Sequence, residues 1–200
     1  MAKKLVILLH GVGSNGEDLA RLGTHWSSIL PGVSFASPNA PLPFEHGPGY
    51  QWFSLTGITP VNRAQRVEQA REAFDAQLNT VLQQHQMQDQ LDNVVLAGIS
   101  QGSIMALDAV ISGRWPVAGL VAFSGRLASP APYHVAKNTP VMIIHGMADS
   151  VIPYAESEIA AEKLRELGMV VSTQFEPAVG HTISALGARS AAEFIDKCLA

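Results

Sequence analysis

The chain has 200 residues, of which 47% are hydrophobic and 15% charged, a composition typical of one globular domain with a sizeable core. A formal net charge of −4 argues against nucleic acid or an anionic membrane surface as partner. The single cysteine, Cys198, excludes an internal disulfide and favours a reducing, cytoplasmic environment. No apolar run approaches transmembrane length, so we predict one soluble domain spanning residues 1–200.

The first part of the chain predicts a strand, a helix and a second strand. The unalternating apolar run Leu5 to Leu9 is typical of a strand buried on both faces of a parallel sheet. The glycine-rich segment 10–16 follows it, without the lysine or spacing of a phosphate-binding loop, and we interpret His10 there as structural. An amphipathic helix over 16–30 and a short strand over 33–36 complete this part.

A proline-rich segment then covers residues 37–55. Four of the eleven residues from Pro38 to Pro48 are prolines, which predicts a rigid loop rather than a flexible linker. Long ordered loops at strand ends often build binding sites. We therefore expect Trp52 and Phe53 to help wall a substrate pocket, the alternative being that they cover the edge of the sheet.

The rest of the chain alternates strands and helices. Apolar runs predict strands, and 3.6-residue periodicity or capping signals predict helices. The strands are expected at 94–97, 117–123, 140–146 and 169–175, and the helices at 62–85, from 104 onward, 154–167 and 184–199. This alternation predicts a three-layer α/β fold with a mostly parallel sheet. Only a short loop precedes the strand at 140, so we expect no lid domain.

The pentapeptide Gly98-Ile99-Ser100-Gln101-Gly102 lies between the predicted strand at 94–97 and the helix that follows. A Gly-x-Ser-x-Gly sequence in a strand–turn–helix context predicts a nucleophile elbow, in which a sharp turn lifts the serine hydroxyl out of the sheet. The glycines are required because the residues two before and two after the serine pass too close for a Cβ. The alternative is a glycine-rich turn whose serine merely caps the helix.

A serine nucleophile needs a general base and an acid that orients the base. In α/β-hydrolases these follow in the order Ser, Asp or Glu, then His. Asp149 lies just beyond the strand at 140–146 and His181 lies beyond the last strand, so both meet the order test. Glu176 is the weaker rival for the acid, and Asp108 lies too far along its helix.

The oxyanion of such a reaction needs backbone N–H donors. One comes from the residue after the nucleophile and one from a loop after an early strand. These positions predict Gln101 and Val12.

These motifs resemble the phospholipase/carboxylesterase family of small α/β-hydrolases, which includes acyl-protein thioesterases and bacterial carboxylesterases. The matching stretches lie along nearly the whole chain: 9–19, 37–41, 52–53, 98–103, 145–153 and 180–183. The resemblance implies a triad of Ser100, Asp149 and His181. The sequence starts directly at the strand before His10-Gly11, where the family has extra N-terminal strands, and the segment around Tyr50 differs from the usual acyl-protein thioesterase form. Both departures favour a small-molecule esterase.

We therefore expect a serine carboxylesterase that hydrolyses short-chain acyl esters without metal or cofactor. Val151 and Ile152, beside Asp149, are further candidates for the substrate pocket. An acyl-thioesterase with the same triad is the main alternative. A dienelactone-type hydrolase would carry cysteine in place of Ser100, and a non-catalytic ligand-binding relative would usually lack a triad member. Whether the protein forms a homodimer is left open.

Overall fold

The six predicted strands form one parallel sheet in the computed structural model, which describes residues 1–135 and 138–200. A separate two-stranded hairpin lies in the proline-rich segment. The strands are β1 Lys4–Leu9, β2 Val33–Ala36, β3 Leu42–Pro43, β4 Tyr50–Gln51, β5 Val94–Ile99, β6 Gly119–Phe123, β7 Val141–Gly146 and β8 Val171–Glu176. The α-helices are α1 Gly16–Ser27, α2 Arg63–Gln84, α3 Gln101–Ile111, α4 Ala155–Glu166 and α5 Ala185–Cys198, with a 3-10 turn at Leu91–Asn93.

The order of the strands in the large sheet is β2-β1-β5-β6-β7-β8. The chain thus runs outward in one direction from β1 to β2, and in the other direction from β5 to β8. Loops that leave the carboxyl ends of β1 and β5 diverge, because they lead to opposite sides of the sheet. A crevice opens at such a switch point, where open α/β sheets bind their ligands.

Helices cover both faces of the sheet and produce the predicted three layers. Leu5, Ile7 and Leu9 of β1 point to a core that they share with α2, α3 and α4. Val6 and Leu8 point to the opposite core, which they share with α1 and α5. Strands buried on both sides explain why the sequence of β1 does not alternate between apolar and polar residues.

The structure differs from the sequence-based prediction mainly in two places. Helix α1 ends at Ser27, and residues 28–30 form turns instead of continuing the helix toward Pro31. The hairpin β3–β4 was not predicted, because strands of two residues carry no periodic signal. It is tied to the loop after β1 by two backbone hydrogen bonds, from the N–H of Tyr50 to the carbonyl oxygen of Ser14 and from the N–H of Gly13 to the carbonyl oxygen of Tyr50.

Between β6 and β7, the described residues contain neither a helix nor a strand. They are 124–135 and 138–140, and the part of the no-lid prediction that concerns 136–137 lies outside the described residues. Within the described ranges, no helix has the length and hydropathy needed to cross a bilayer.

Candidate active site

Ser100 occupies a sharp turn between β5 and α3. Its backbone angles are φ 54° and ψ −119°, a conformation that a residue with a side chain rarely adopts. The glycines on either side make the turn sterically feasible. A Cβ on Gly98 would lie 2.6 Å from the carbonyl carbon of Gly102, and a Cβ on Gly102 would collide with the carbonyl oxygen of Leu9. The local structure is therefore the strand–turn–helix arrangement expected of a nucleophile elbow.

His181 and Asp149 continue from Ser100 as a line of hydrogen bonds. The Nε2 atom of His181 lies 3.0 Å from the Oγ of Ser100, and its Nδ1 atom lies 2.7 Å from Oδ2 of Asp149. Because a carboxylate only accepts hydrogen bonds, Nδ1 carries the proton that it donates to Asp149. Nε2 of the neutral ring is then free to accept the hydroxyl proton of Ser100.

The carboxylate of Asp149 is fixed by the backbone that follows it. Its Oδ1 atom accepts hydrogen bonds from the N–H groups of Val151 and Ile152, at 2.8 and 2.9 Å. Burial by itself would raise the pKa of Asp149, but the bonds from His181 and these two N–H groups outweigh it and lower the pKa below its usual value. Asp149 therefore stays ionised at neutral pH.

The two rival carboxylates have other partners. The hydroxyl of Ser184, the N-terminal cap of α5, donates to the carboxylate of Glu176, whose two oxygens lie 2.7 and 2.9 Å from Oγ. Asp108 forms ion pairs with Arg71 and Arg114 between α2 and α3. Neither makes a hydrogen bond to the ring of His181.

A cavity of about 200 Å³ opens beside Ser100, at the switch point of the sheet. Five of the residues that line it were predicted from the sequence, two for the oxyanion site and three for the substrate pocket: Val12, Gln101, Phe53, Val151 and Ile152. The other residues that line it are Leu55, Ile58, Arg63, Ser100, Ile104 and Arg126. Most of this lining is apolar, and the exceptions are Ser100, Gln101 and the two arginines.

Trp52 is not part of this lining, contrary to our expectation. Its side chain is buried in the core, where the indole ring packs against Phe74 with ring centroids 5.3 Å apart. The indole N–H donates to the carbonyl oxygen of His10 at 2.9 Å, which satisfies its one polar group. Trp52 thus anchors the proline-rich loop, while its neighbour Phe53 reaches the cavity.

The side chain of Gln101 connects the elbow to the same loop. Its Oε1 atom accepts from the N–H of Trp52 at 2.6 Å, and its Nε2 atom donates to the carbonyl oxygen of Phe53 at 2.8 Å. These two hydrogen bonds therefore fix the position of the cavity wall relative to Ser100. Sequence reasoning assigned Gln101 only a backbone role and missed this one.

The backbone N–H groups of Val12 and Gln101 are available to a ligand. Neither donates to an acceptor among the described residues, whereas those of Gly13 and Ser14 are bonded to Tyr50 and Gly11. Gln101 is the first residue of α3, so its N–H also lies at the positive end of the helix. Two free N–H groups that border one cavity with a serine hydroxyl are suited to bind an oxyanion.

His145 is a neighbour of the site that our sequence reasoning did not single out. It is fully buried at the end of β7, and its Nε2 atom lies 2.7 Å from the carbonyl oxygen of Ile152 and 3.1 Å from Oδ2 of Asp149. Both partners are acceptors, so Nε2 carries the proton and Nδ1 accepts from the hydroxyl of Ser157 at 2.6 Å. The signal was available in the sequence, because a histidine buried at a strand end needs polar partners.

Two other reactive groups have structural surroundings. His10 donates from Nδ1 to the carbonyl oxygen of Gly11 and accepts at Nε2 from the N–H of Ala40, as the structural interpretation predicted. Burial raises the pKa of the Cys198 thiol to about 11, so it stays protonated and unreactive at neutral pH. Across residues 1–135 and 138–200, no group of three or more His, Cys, Asp or Glu side chains could hold a metal ion.

Comparison with known proteins identifies the family of the chain. The sequence model of the phospholipase/carboxylesterase family matches residues 1–199. The chain belongs to the phospholipase/carboxylesterase family. It is therefore a hydrolase that acts on carboxylic esters, built on the α/β-hydrolase fold.

Individual members of the family show the range of their described activities. The chain is 33% identical over 183 residues to the esterase YpfH of Escherichia coli, covering 91% of this chain and 77% of that protein. It is 28% identical over 195 residues to acyl-protein thioesterase 1 of Neurospora crassa, covering 88% and 79%. The crystal structure of esterase PE8 superposes with a TM-score of 0.87 at 35% identity, covering 99% of this chain and 94% of that one.

Proposed function

We propose that Ser100, His181 and Asp149 form the catalytic triad of a serine esterase. The observation that carries the proposal is the unbroken line of hydrogen bonds from Asp149 through His181 to Ser100, which ends at a cavity. A serine hydroxyl alone is a weak nucleophile at neutral pH, and this arrangement supplies the base and its orienting acid. Membership in the carboxylesterase family supports the same reaction class.

In the proposed reaction, Oγ of Ser100 attacks the ester carbonyl carbon while Nε2 of His181 takes the hydroxyl proton. Asp149 holds the ring in the required tautomer and stabilises the positive charge that forms on it. His181 then gives the proton to the leaving alkoxide, which departs as an alcohol and leaves an acyl group on Ser100. His181 then takes a proton from water as the water attacks the acyl carbon, and it returns that proton to Oγ of Ser100 as the acyl–oxygen bond breaks, which releases the carboxylic acid and regenerates the free serine.

The tetrahedral intermediate of each half-reaction carries a negative oxygen. We assign its stabilisation to the N–H groups of Val12 and Gln101, which border the cavity and lack protein acceptors among the described residues. One such donor lowers the barrier by about 3 kcal/mol in serine hydrolases. The apolar lining formed by Phe53, Val151 and Ile152 would surround the acyl or alcohol group.

The proposed substrates are esters of short acyl chains. The cavity of about 200 Å³ is smaller than the ~300–1,000 Å³ typical of pockets for drug-sized ligands. The described part of the β6–β7 connection adds no helix that could extend the apolar surface over a long chain. We therefore expect the rate to peak at short acyl lengths and to fall as the chain grows.

The first experiment measures hydrolysis of p-nitrophenyl esters from acetate to palmitate by the wild type and by Ser100→Ala. Activity at short chains that disappears in the variant would support the triad and the length preference. A folded Ser100→Ala variant that keeps the wild-type rate would overturn the assignment of the nucleophile. A wild type that is inert toward the whole series would favour a non-catalytic, ligand-binding role, and a rate rising steadily to palmitate would contradict the short-chain proposal.

A thioesterase is the second candidate, because one of the relatives is an acyl-protein thioesterase. The same triad can attack a thioester carbonyl, so the site geometry does not separate the two activities. Oxygen esters and thioesters with the same acyl group, compared by kcat/KM, distinguish them. A clear preference for the thioester at equal acyl length would replace the esterase assignment.

A further inference from the structure

Five arginines of the chain are partly buried, and their side chains fall into two groups. Three of them have protein partners: Arg66 donates to the carbonyl oxygens of Ser54 and Thr56, and Arg71 and Arg114 pair with buried or half-buried aspartates. Arg63 and Arg126 have none, since neither side chain forms a hydrogen bond or an ion pair with any of the described residues. The two without partners are the two that line the cavity beside Ser100.

The described lining of the cavity includes no side chain that would neutralise these guanidinium groups. Apart from the two arginines, it consists of apolar side chains, Ser100 and Gln101, and no carboxylate of the described residues lines it. The chain as a whole has a net charge of −4, so the positive charge at this place is local and opposite in sign to the rest of the molecule. Because Arg stays protonated in proteins, both groups bring their charge into the pocket.

The position of Arg126 carries an energetic cost. Burial lowers the pKa of its guanidinium, and the nearby charge of Arg63 lowers it further, while Glu156 acts in the opposite direction without forming an ion pair. Elsewhere the protein offsets such costs, as Asp108 does for Arg71 and Arg114. A pair of like charges kept half-buried without a counter-ion fits a site where the ligand supplies the negative charge.

We propose that the ester substrate carries a carboxylate, which Arg126 and Arg63 bind at the wall of the cavity while Ser100 attacks the ester group. The inference rests on the proposed esterase function and names its substrate class. A guanidinium group offers two parallel N–H donors that match the two oxygens of a carboxylate, and such charge-assisted bonds are among the strongest in proteins. The apolar part of the lining, including Phe53 and Ile152, would hold the short carbon chain between the two groups.

The carboxylate could stand on either side of the ester bond. On the acyl side the substrate is a half-ester of a dicarboxylic acid, and hydrolysis consumes one water and releases an alcohol and a dicarboxylate. On the alcohol side it is an acylated hydroxy acid, and hydrolysis releases the acyl acid and the hydroxy acid. The shared chemistry is a short ester with one free carboxylate.

The experiment compares each anionic ester with a neutral partner in which an amide replaces the carboxylate. Monoethyl glutarate and ethyl 4-carbamoylbutanoate test the acyl side, and acetoxyacetate and acetoxyacetamide test the alcohol side. Acid release at pH 7 is followed by pH-stat titration for the wild type, Arg126→Gln, Arg126→Lys and Arg63→Gln. Arg21→Gln, which removes an exposed arginine of α1 outside the cavity, is the matched control.

The measured quantity is the ratio of kcat/KM for the anionic ester to that for its neutral partner. We expect this ratio to be at least about ten for one of the two pairs in the wild type, because one hydrogen bond to a charged group changes an affinity by about that factor. Arg126→Gln should remove most of this preference, Arg126→Lys should retain part of it, and Arg63→Gln should reduce it. Arg21→Gln should leave the ratio unchanged.

Binding provides a readout that does not depend on turnover. Isothermal titration of Ser100→Ala with the preferred anionic ester gives a dissociation constant. Adding Arg126→Gln to Ser100→Ala should raise this constant. If neutral short-chain esters are hydrolysed through Ser100 but neither anionic ester is preferred, the inference fails and the esterase function stands. If no ester of either kind is hydrolysed or bound, both fail.

Discussion

At the scale of single residues, the site depends on side chains that hold the reacting groups in place. Asp149 has one oxygen bonded to His181 and the other to two backbone N–H groups of its own loop. His145 holds the same loop in place, because its Nε2–H donates to the carbonyl oxygen of Ile152. The same Nε2 atom lies 3.1 Å from Oδ2 of Asp149. His145, which does not border the cavity, therefore supports the orientation of His181 indirectly, by holding Asp149 and its loop in place.

We predict that His145→Phe lowers kcat by roughly ten- to a hundredfold with little change in KM, since it removes a hydrogen bond next to a charged group. His145→Gln, which keeps a donor, should restore part of the rate. The measurement is steady-state kinetics on a neutral short-chain ester, with circular dichroism to confirm folding. Folded His145→Phe with wild-type kcat would contradict a positioning role.

Asp149→Asn is predicted to lower kcat on the order of 10³- to 10⁴-fold, because the amide can present its N–H to His181 and favour the wrong tautomer. Its effect on stability should depend on pH. The folded-state pKa of Asp149 is lowered, so the carboxylate stabilises the fold above its unfolded pKa of about 3.9 and loses that contribution as pH falls. Urea unfolding of the wild type and Asp149→Asn should show a larger difference in the free energy of unfolding at pH 7 than at pH 3.5. An equal difference at both pH values would argue against a stabilising Asp149 carboxylate.

At the scale of secondary-structure elements, helix α3 is buried along its whole length between the sheet and α2. Its only charged residue, Asp108, accepts two bonds of 2.8 Å from Arg71 of α2 and one of 2.9 Å from Arg114. Arg114 also bonds Asp75 of α2. This network fixes α3, and with it the turn that carries Ser100, against α2.

Asp108→Asn should therefore lower stability without removing a reacting group. Breaking a buried ion pair by removing one partner costs about 3–5 kcal/mol. Because both arginines remain about one-fifth exposed and can regain water, we expect about 3 kcal/mol, together with a kcat near that of the wild type at 25 °C. Thermal and urea unfolding measure the loss, and Asp89→Asn, at an exposed position, is the control. A change below about 0.5 kcal/mol would show that the network contributes little.

At the scale of the whole molecule, the site exists because distant parts of the chain meet at one edge of the sheet. Val12 follows β1, Ser100 follows β5, Asp149 follows β7 and His181 follows β8. His10 ties two of the loops together, since its ring bonds both Gly11 and Ala40 and is fully buried. The edge of the sheet is thus organised by the same loops that present the catalytic groups.

We expect the protonation of His10 to contribute to the pH dependence of global stability. Burial lowers its folded-state pKa, outweighing the opposing effects of Gly11 and Asp18, so the unfolded chain binds more protons below about pH 6.5. We expect stability to fall from pH 7 toward pH 5, and His10→Gln to flatten that dependence. Urea unfolding at pH 5, 6 and 7 measures it, with the exposed His25→Gln as control. An unchanged slope in His10→Gln would exclude this residue as the origin.

Much of the molecule could be predicted from local sequence. Four strands of the sheet, β1, β5, β6 and β7, could be located by apolar runs that report burial on both faces, whereas the edge strands β2 and β8 are only partly buried and contain polar residues. The geometry of the turn at Ser100 could be predicted from the Gly-x-Ser-x-Gly motif, because the close approach of Gly98 and Gly102 is a local steric requirement. The chain order of Ser100, Asp149 and His181 is likewise a property of the sequence, as was the family to which the chain belongs.

Only the tertiary structure decided which side chains share a space. Trp52 and Phe53 are adjacent in sequence and both are buried, yet only Phe53 lines the cavity, whereas the indole of Trp52 packs against Phe74 in the core. Arg63 and Arg126 are sixty-three positions apart, and nothing local distinguishes them from Arg71 or Arg114. Whether a charge meets a partner is a property of long-range packing, so the sequence determined the reaction class, while the fold determined the charge of the pocket in which it takes place.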